Sequence, residues 1–296
     1  MEFEKLSITN SPMISAIYYA LLQCGYNFYA LERDEPMVKK LRGFIMPDCS
    51  KYGFFSEVRQ NSCEVYPYWP RAAMLETATF FVDLPQAHFV NFDAYKSNIQ
   101  SAKNISDIER NQTFWNWIQQ FPMAINHIFR SDHFCHYLEW ENEWIAEQNW
   151  NYKNDLKRIA DILVLCKEKF NSPFQNIQII LNPIKCVYSS DYHQRNNTFI
   201  VCLGALREES VIHEFIHHVV HPVIERRKDE ILGRSLTNLG LDVSYYLDGG
   251  DMGKLNAFEE YMVRKFTNRI LSDNVPNNLD AFFDWALIDL AKSTQN

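Results

Sequence analysis

His213-Glu214-Phe215-Ile216-His217 decides how this chain is read. At 3.6 residues per turn, two histidines four apart lie one above the other on one helix face, so both imidazoles reach a single metal ion. Glu214 sits one step round the helix, placed beside a water on that ion rather than on the ion itself. Neutral imidazoles that hold a cation, with a carboxylate that takes the proton of the acidified water, are the working parts of a zinc hydrolase. Val211, Ile212, Phe215, Ile216, Val219 and Val220 make the segment apolar over much of its circumference, which predicts a buried helix. Three ionisable side chains in such a helix are costly unless they share a partner.

Outward from the motif, Thr198-Phe-Ile-Val-Cys-Leu203 reads as a short buried strand that ends at Gly204. The helix is expected to begin near Arg207, with Glu208 and Glu209 at the positive end of its dipole, and to stop at Pro222. A structural zinc site takes four protein ligands and a catalytic one takes three, so a third ligand must come from elsewhere. Val220 and Val223 stand where the extended metzincin motif needs Gly and His, which excludes that class. The acids downstream are Glu225, Asp229, Glu230, Asp242, Asp248, Asp251, Glu259 and Glu260. Most lie in polar or Gly-rich stretches, whereas Glu259 and Glu260 belong to Leu255-Asn-Ala-Phe-Glu-Glu-Tyr-Met-Val-Arg-Lys-Phe266, which has helical apolar spacing. The residues alone leave both open. The one that is not a ligand faces solvent or orients His213 or His217 through its other ring nitrogen.

HEFIH followed by a Glu on a later helix resembles a gluzincin metallopeptidase. The chain is also similar to an uncharacterised bacterial family of zincin-like domains, in which an HEFxH helix is joined to a Pro-containing exit, a later N/E-E-x-x-V-R helix and a long helical N-terminal region. The counterparts here are Val211 to Pro222, Glu259-Glu-Tyr-Met-Val-Arg264 and the helical spacing that precedes Phe170. Alignment on the Val-Arg pair favours Glu260 as the third ligand. The resemblance implies Zn2+ held by His213, His217 and Glu260, with Glu214 as general base, in a metallopeptidase acting on a peptide or protein. In zincins the strand nearest the metal helix is an edge that takes extended substrate by strand addition, a part open to Thr198 to Leu203, for which plain sheet packing is the default. The alternative is a zincin-like domain that binds protein or peptide without turnover; a small-molecule amide or ester hydrolase is a third reading.

Peptide hydrolysis would need a second electrophile for the oxyanion, for which Tyr245, Tyr246, Tyr261 and His218 are candidates. His221 lies one further turn along the ligand face, in the cleft or behind a ligand. Gly240 to Gly250, rich in glycine and aromatics, has the composition of a flap over a cleft.

The rest of the chain bounds these readings. Its 296 residues, 47% hydrophobic and 15% aromatic, suffice for a sizeable core. A net charge of -8 argues against nucleic acid or an anionic membrane surface as main partner. No leader and no membrane-spanning run is evident, so a cytoplasmic protein is expected. Seven scattered cysteines without a CxxC pair read as small hydrophobes in a reducing compartment. Helical spacing covers Met13 to Gln23, Pro36 to Phe44, Ala72 to Phe81, Ile105 to Asn126, Phe134 to Gln148 and Lys153 to Phe170. After the break at Asn171-Ser-Pro173 come strands at Asn176 to Leu181 and Thr198 to Leu203, joined by a polar loop from Ser189 to Asn197. The fold class is therefore α+β, mostly helical with a small sheet and a zincin-like core on the HExxH helix. Residues 1–170 form a mostly helical region and 171–296 the catalytic region, packed together. Trp140, Trp144 and their aromatic neighbours read as helix-packing core, and His127, His133 and His136 as exposed or satisfied side chains rather than a second metal site.

Overall fold

The computed structural model describes residues 6–23, 33–46, 126–187, 190–234 and 250–292. The helix expected over 72–81, nearly all of that over 105–126, and the stretch 240–249 lie outside the described residues. Packing divides the chain into two units that interleave along the sequence, one from Leu6–Lys153 with Asn176–Leu206, the other from Asn154–Gln175 with Arg207–Asn296.

The first of these units holds β1 (Ile8–Thr9), α1 (Pro12–Gln23), α2 (Glu35–Arg42), α3 (Asp132–Asn151), β2 (Asn176–Leu181), β3 (Asp191–Arg195) and β4 (Thr198–Leu203). The strands form one sheet in the order β1-β2-β4-β3. β1, β2 and β4 run parallel, with Ile177 opposite Phe199 and Ile179 opposite Val201, and β3 pairs antiparallel with β4. A strand paired on both sides and covered on both faces reads as a continuous apolar run, which is why β4 is buried from Phe199 to Leu203. Its position is the plain sheet packing expected by default and removes the strand-addition alternative: β4 has β2 on one side and β3 on the other, so its backbone groups are already used.

The polar loop expected from Ser189 to Asn197 is also corrected, because Asp191–Arg195 within it is the edge strand β3. Edge strands carry charged and polar residues, so this one has no apolar run to announce it. The hairpin turns at Asn196, whose φ of 50° is a left-handed conformation that Asn tolerates. β4 ends at Gly204 for a steric reason: a Cβ there would strike the carbonyl oxygens of Lys185 and Cys186. α1 is buried from Met13 to Gln23, and Tyr19 meets Phe134 and Tyr137 of α3 with ring centroids 5.1 and 5.3 Å apart. Trp140 and Trp144 continue this aromatic seam, 6.4 Å apart and stacked, while His127, His133 and His136 are exposed.

The second unit is helical among its described residues: α4 (Lys153–Phe170), α5 (Glu208–Arg226), α6 (Lys228–Leu232), α7 (Asp251–Leu271) and α8 (Leu279–Lys292). α4 buries Leu156, Ile159, Leu163 and Cys166, a spacing that gives one face. α5 packs along α7, and α8 closes on both through Phe258–Phe283 at 5.4 Å and the Arg227 guanidinium 4.0 Å above Phe283. α5 does not stop at Pro222 but runs on to Arg226. An internal proline costs about 3 kcal/mol. Burial of Val223 and Ile224 beyond it offsets that cost by roughly 1.5–3 kcal/mol for each side chain. Among the described residues no helix is long and apolar enough to cross a membrane.

Candidate metal centre

α5 has nine buried positions, and its first turn carries Glu208 and Glu209, the former held by Arg158 of α4 at 3.0 Å. His213 and His217 meet edge to face, ring centroids 5.1 Å apart, on the side of α5 that faces α7. From α7, Glu260 places its Oε2 3.4 Å from His213 Nε2 and 3.6 Å from His217 Nε2. The three donor atoms lie within 4.8 Å of one another.

A zinc ion about 2.0–2.1 Å from each ligand in tetrahedral geometry requires donor atoms roughly 3.3 Å apart. The two distances to Glu260 are close to that, and longer than a good hydrogen bond. Two imidazole nitrogens and one carboxylate oxygen are also a zinc donor set. The charges agree: Glu214, Glu259 and Glu260 bring three negative charges and Arg264 one positive, so with neutral imidazoles the group is two charges negative. The residues present therefore fit a divalent cation.

The neighbouring Glu259 has a different part. Its Oε1 accepts from His217 Nδ1 at 2.9 Å and its Oε2 from His221 Nδ1 at 2.8 Å. A carboxylate accepts, so each Nδ1 carries a hydrogen, and in the neutral ring of His217 it is Nε2, on the side of Glu260, that has the lone pair, the form that ligates a metal. Glu260 is fixed in turn: its Oε1 accepts from Arg264 Nε at 2.6 Å, one helical turn along α7. Glu214 is buried at the next position of α5.

The electrostatics of the chain without a cation follow from these contacts. Burial works against a charged His217, but the bond to Glu259 and the Glu214, Glu259 and Glu260 charges outweigh it and raise its pKa. The bond to Glu259 raises that of His221 against a smaller effect of burial. Burial pushes Glu260 up, yet His213, Arg264 and His217 together hold it at about 2. Burial pushes Glu259 up as well, and its two imidazole partners overcome this and lower it.

Of the candidate electrophiles, Tyr245 and Tyr246 lie outside the described residues. Tyr261 is turned to α8, donating to Asp289 Oδ2 at 2.7 Å, and burial together with that carboxylate raises its pKa. His218 is directed away from the cluster: its Nδ1 bonds the Phe215 carbonyl, its ring lies 4.6 Å from Phe174, and burial lowers its pKa to about 4. Arg264 is a site residue that the sequence reading used only for alignment; its signal was the i, i+4 spacing from Glu260. Comparison of the chain with family models, with curated proteins and with solved structures finds no match.

Proposed function

We propose that this chain is a zinc-dependent hydrolase of gluzincin type that cleaves peptide bonds, with a zincin-like core made of the HExxH helix α5 and the ligand helix α7. The observation that carries the reading is the convergence of His213 Nε2, His217 Nε2 and Glu260 Oε2, with Glu214 at the intervening position of α5. Zn2+, when bound, supplies a Lewis acid that brings the pKa of water toward neutrality and polarises a carbonyl. His213, His217 and Glu260 would hold the ion and, as three donors, would leave it accessible to water or substrate. Glu214 would serve as the base that takes the water's proton and passes it to the leaving amine. Glu259 holds His217 in its ligating form, and Arg264 holds Glu260. The seven scattered cysteines, without a CxxC pair, support a reducing, cytoplasmic setting.

The test is metal analysis of protein purified without added zinc, followed by digestion of a mixed peptide library. About one zinc per chain is expected, lost in His213→Ala and His217→Ala, with Glu214→Gln retaining zinc and losing cleavage. Wild-type protein that takes up no zinc would sink the proposal. Zinc retained without cleavage of any peptide would favour a binding domain that does not turn over.

A further inference from the structure

Glu259 is a buried carboxylate with one imidazole on each oxygen, and the two imidazoles differ in exposure. The side chain of His217 is 16% exposed and that of His221 55%. His221 lies on α5 one turn beyond His217, and Glu259 reaches across from α7 between them. From this arrangement we propose that His221 is a positioning residue: it anchors Oε2 of Glu259 so that Oε1 stays on His217 Nδ1 and His217 Nε2 stays directed at Glu260 as a lone pair. The inference rests on the metal-site reading above and adds a residue with no donor atom in the converging set.

The physical reason is the softness of a glutamate's last torsion, which is broad and nearly two-fold. One hydrogen bond leaves the carboxylate free to rock about it. Two bonds from opposite sides, each from an N–H to an ionised acceptor, fix its plane. Without His221, Oε2 turns to solvent, and the hold on His217 Nδ1 loosens with it. His217 can then place its hydrogen on Nε2, where it blocks ligation. As a stability element the exposed His221 contributes little, since half-exposed ion pairs are worth about 0–1 kcal/mol. Its effect is concentrated on the ligand behind it.

The experiment compares the wild-type chain with His221→Phe, which keeps a ring and removes the donor, and with His221→Gln, whose amide can donate to Oε2. Zinc affinity is measured by competition with a chromophoric chelator, and the ring tautomer of His217 by two-bond proton–nitrogen correlation spectra of the metal-free protein at a pH where the imidazole is neutral. His221→Phe is expected to weaken zinc by roughly 3- to 10-fold, below the 10- to 100-fold of a direct outer-shell partner, and to raise the Nε2–H population of His217. His221→Gln should recover most of both. Equal zinc affinity in wild type and His221→Phe overturns the proposal, as does a loss in both variants that merely parallels their metal-free melting temperature. If wild-type protein binds no zinc the hydrolase reading falls, and the tautomer spectra still decide this one: an unchanged His217 signal in His221→Phe overturns it, and a shift toward Nε2–H upholds it.

Discussion

Two glutamates, one in each unit, the first fully buried and the second partly, meet opposite fates. Glu141 of α3 is fully buried, and four neutral donors close on it: Ser15 Oγ at 2.6 Å and Asn10 Nδ2 at 3.0 Å on Oε2, Tyr137 OH and Asn182 Nδ2 both at 2.9 Å on Oε1. Burial outweighs those bonds and raises its pKa to about 7. Glu260 of α7 is held at about 2, burial notwithstanding, by His213, Arg264 and His217. Glu141 ends a network, since each of its oxygens already accepts two hydrogen bonds. Glu260 leaves one oxygen facing two ring nitrogens at distances suited to sharing a cation. Saturation by neutral donors marks a structural carboxylate, and an oxygen that faces two ring nitrogens at more than hydrogen-bond distance marks a candidate ligand.

The sharpest way to break that contrast is to remove the ligands. In the proposed site three donors would share a zinc binding free energy of roughly 10–16 kcal/mol, so His217→Ala or Glu260→Ala should weaken zinc by on the order of a thousandfold. Glu259→Ala should cost only about 10- to 100-fold, because it acts through His217. Competition titration with a chelator separates the two carboxylates, and equal losses would mean that their roles are misassigned. Glu214→Gln should leave zinc affinity near wild type while lowering peptide hydrolysis by about 10²- to 10⁴-fold, as for loss of a general base. Full activity in that variant would remove Glu214 from the mechanism.

Glu141 sharpens the contrast from the other side. Glu141→Ala leaves several buried donors without an acceptor and should destabilise the fold by on the order of 3 kcal/mol, read by denaturant unfolding, with no direct effect on the zinc ligands. Its pH dependence has a definite sign. A carboxyl whose pKa rises from 4.5 unfolded to about 7 folded binds its proton more tightly in the native state. Its contribution to stability is therefore full below 4.5 and declines as pH rises toward 7. Glu141→Gln mimics the protonated form and should flatten that decline. The same slope in Glu141→Gln as in wild type would assign it to other groups.

Much of this was legible in sequence wherever one face or one run was apolar. α1, α3, α4, β2 and β4 coincide closely with the spacing of their hydrophobic residues, because burial is what sets those periods. β3 was hidden because an edge strand need not be apolar, and α8 was not singled out although Asn278 caps it by accepting from the Ala281 N–H. Pro222 misled because a local rule for ending helices was overridden by tertiary burial just beyond it. At the site, helical arithmetic placed His213 beside His217, but no local pattern distinguishes Glu259 from Glu260. Adjacent residues on a helix point about 100° apart. Only the crossing of α7 over α5 determines which one meets Nε2 and which one meets Nδ1.

Arg264 supplies the smallest test. It is 54% exposed and pairs with Glu260 across one turn, an arrangement worth about 0.3–0.5 kcal/mol on a helix surface. Arg264→Ala should therefore shift unfolding by less than about 0.5 kcal/mol. The Nε–H of Arg264 nevertheless occupies Oε1 and leaves Oε2 as the oxygen toward the imidazoles. Its loss lets the two oxygens exchange places at little cost, so zinc affinity should fall only about two- to threefold, an entropic effect near RT ln 2 to RT ln 3. A thousandfold loss, matching Glu260→Ala, would show that the carboxylate is not preset by its own helix. The contrast with Glu141, whose geometry is imposed by Tyr137 of its own helix together with Asn10, Ser15 and Asn182 from elsewhere in the chain, would then narrow to a difference in charge alone.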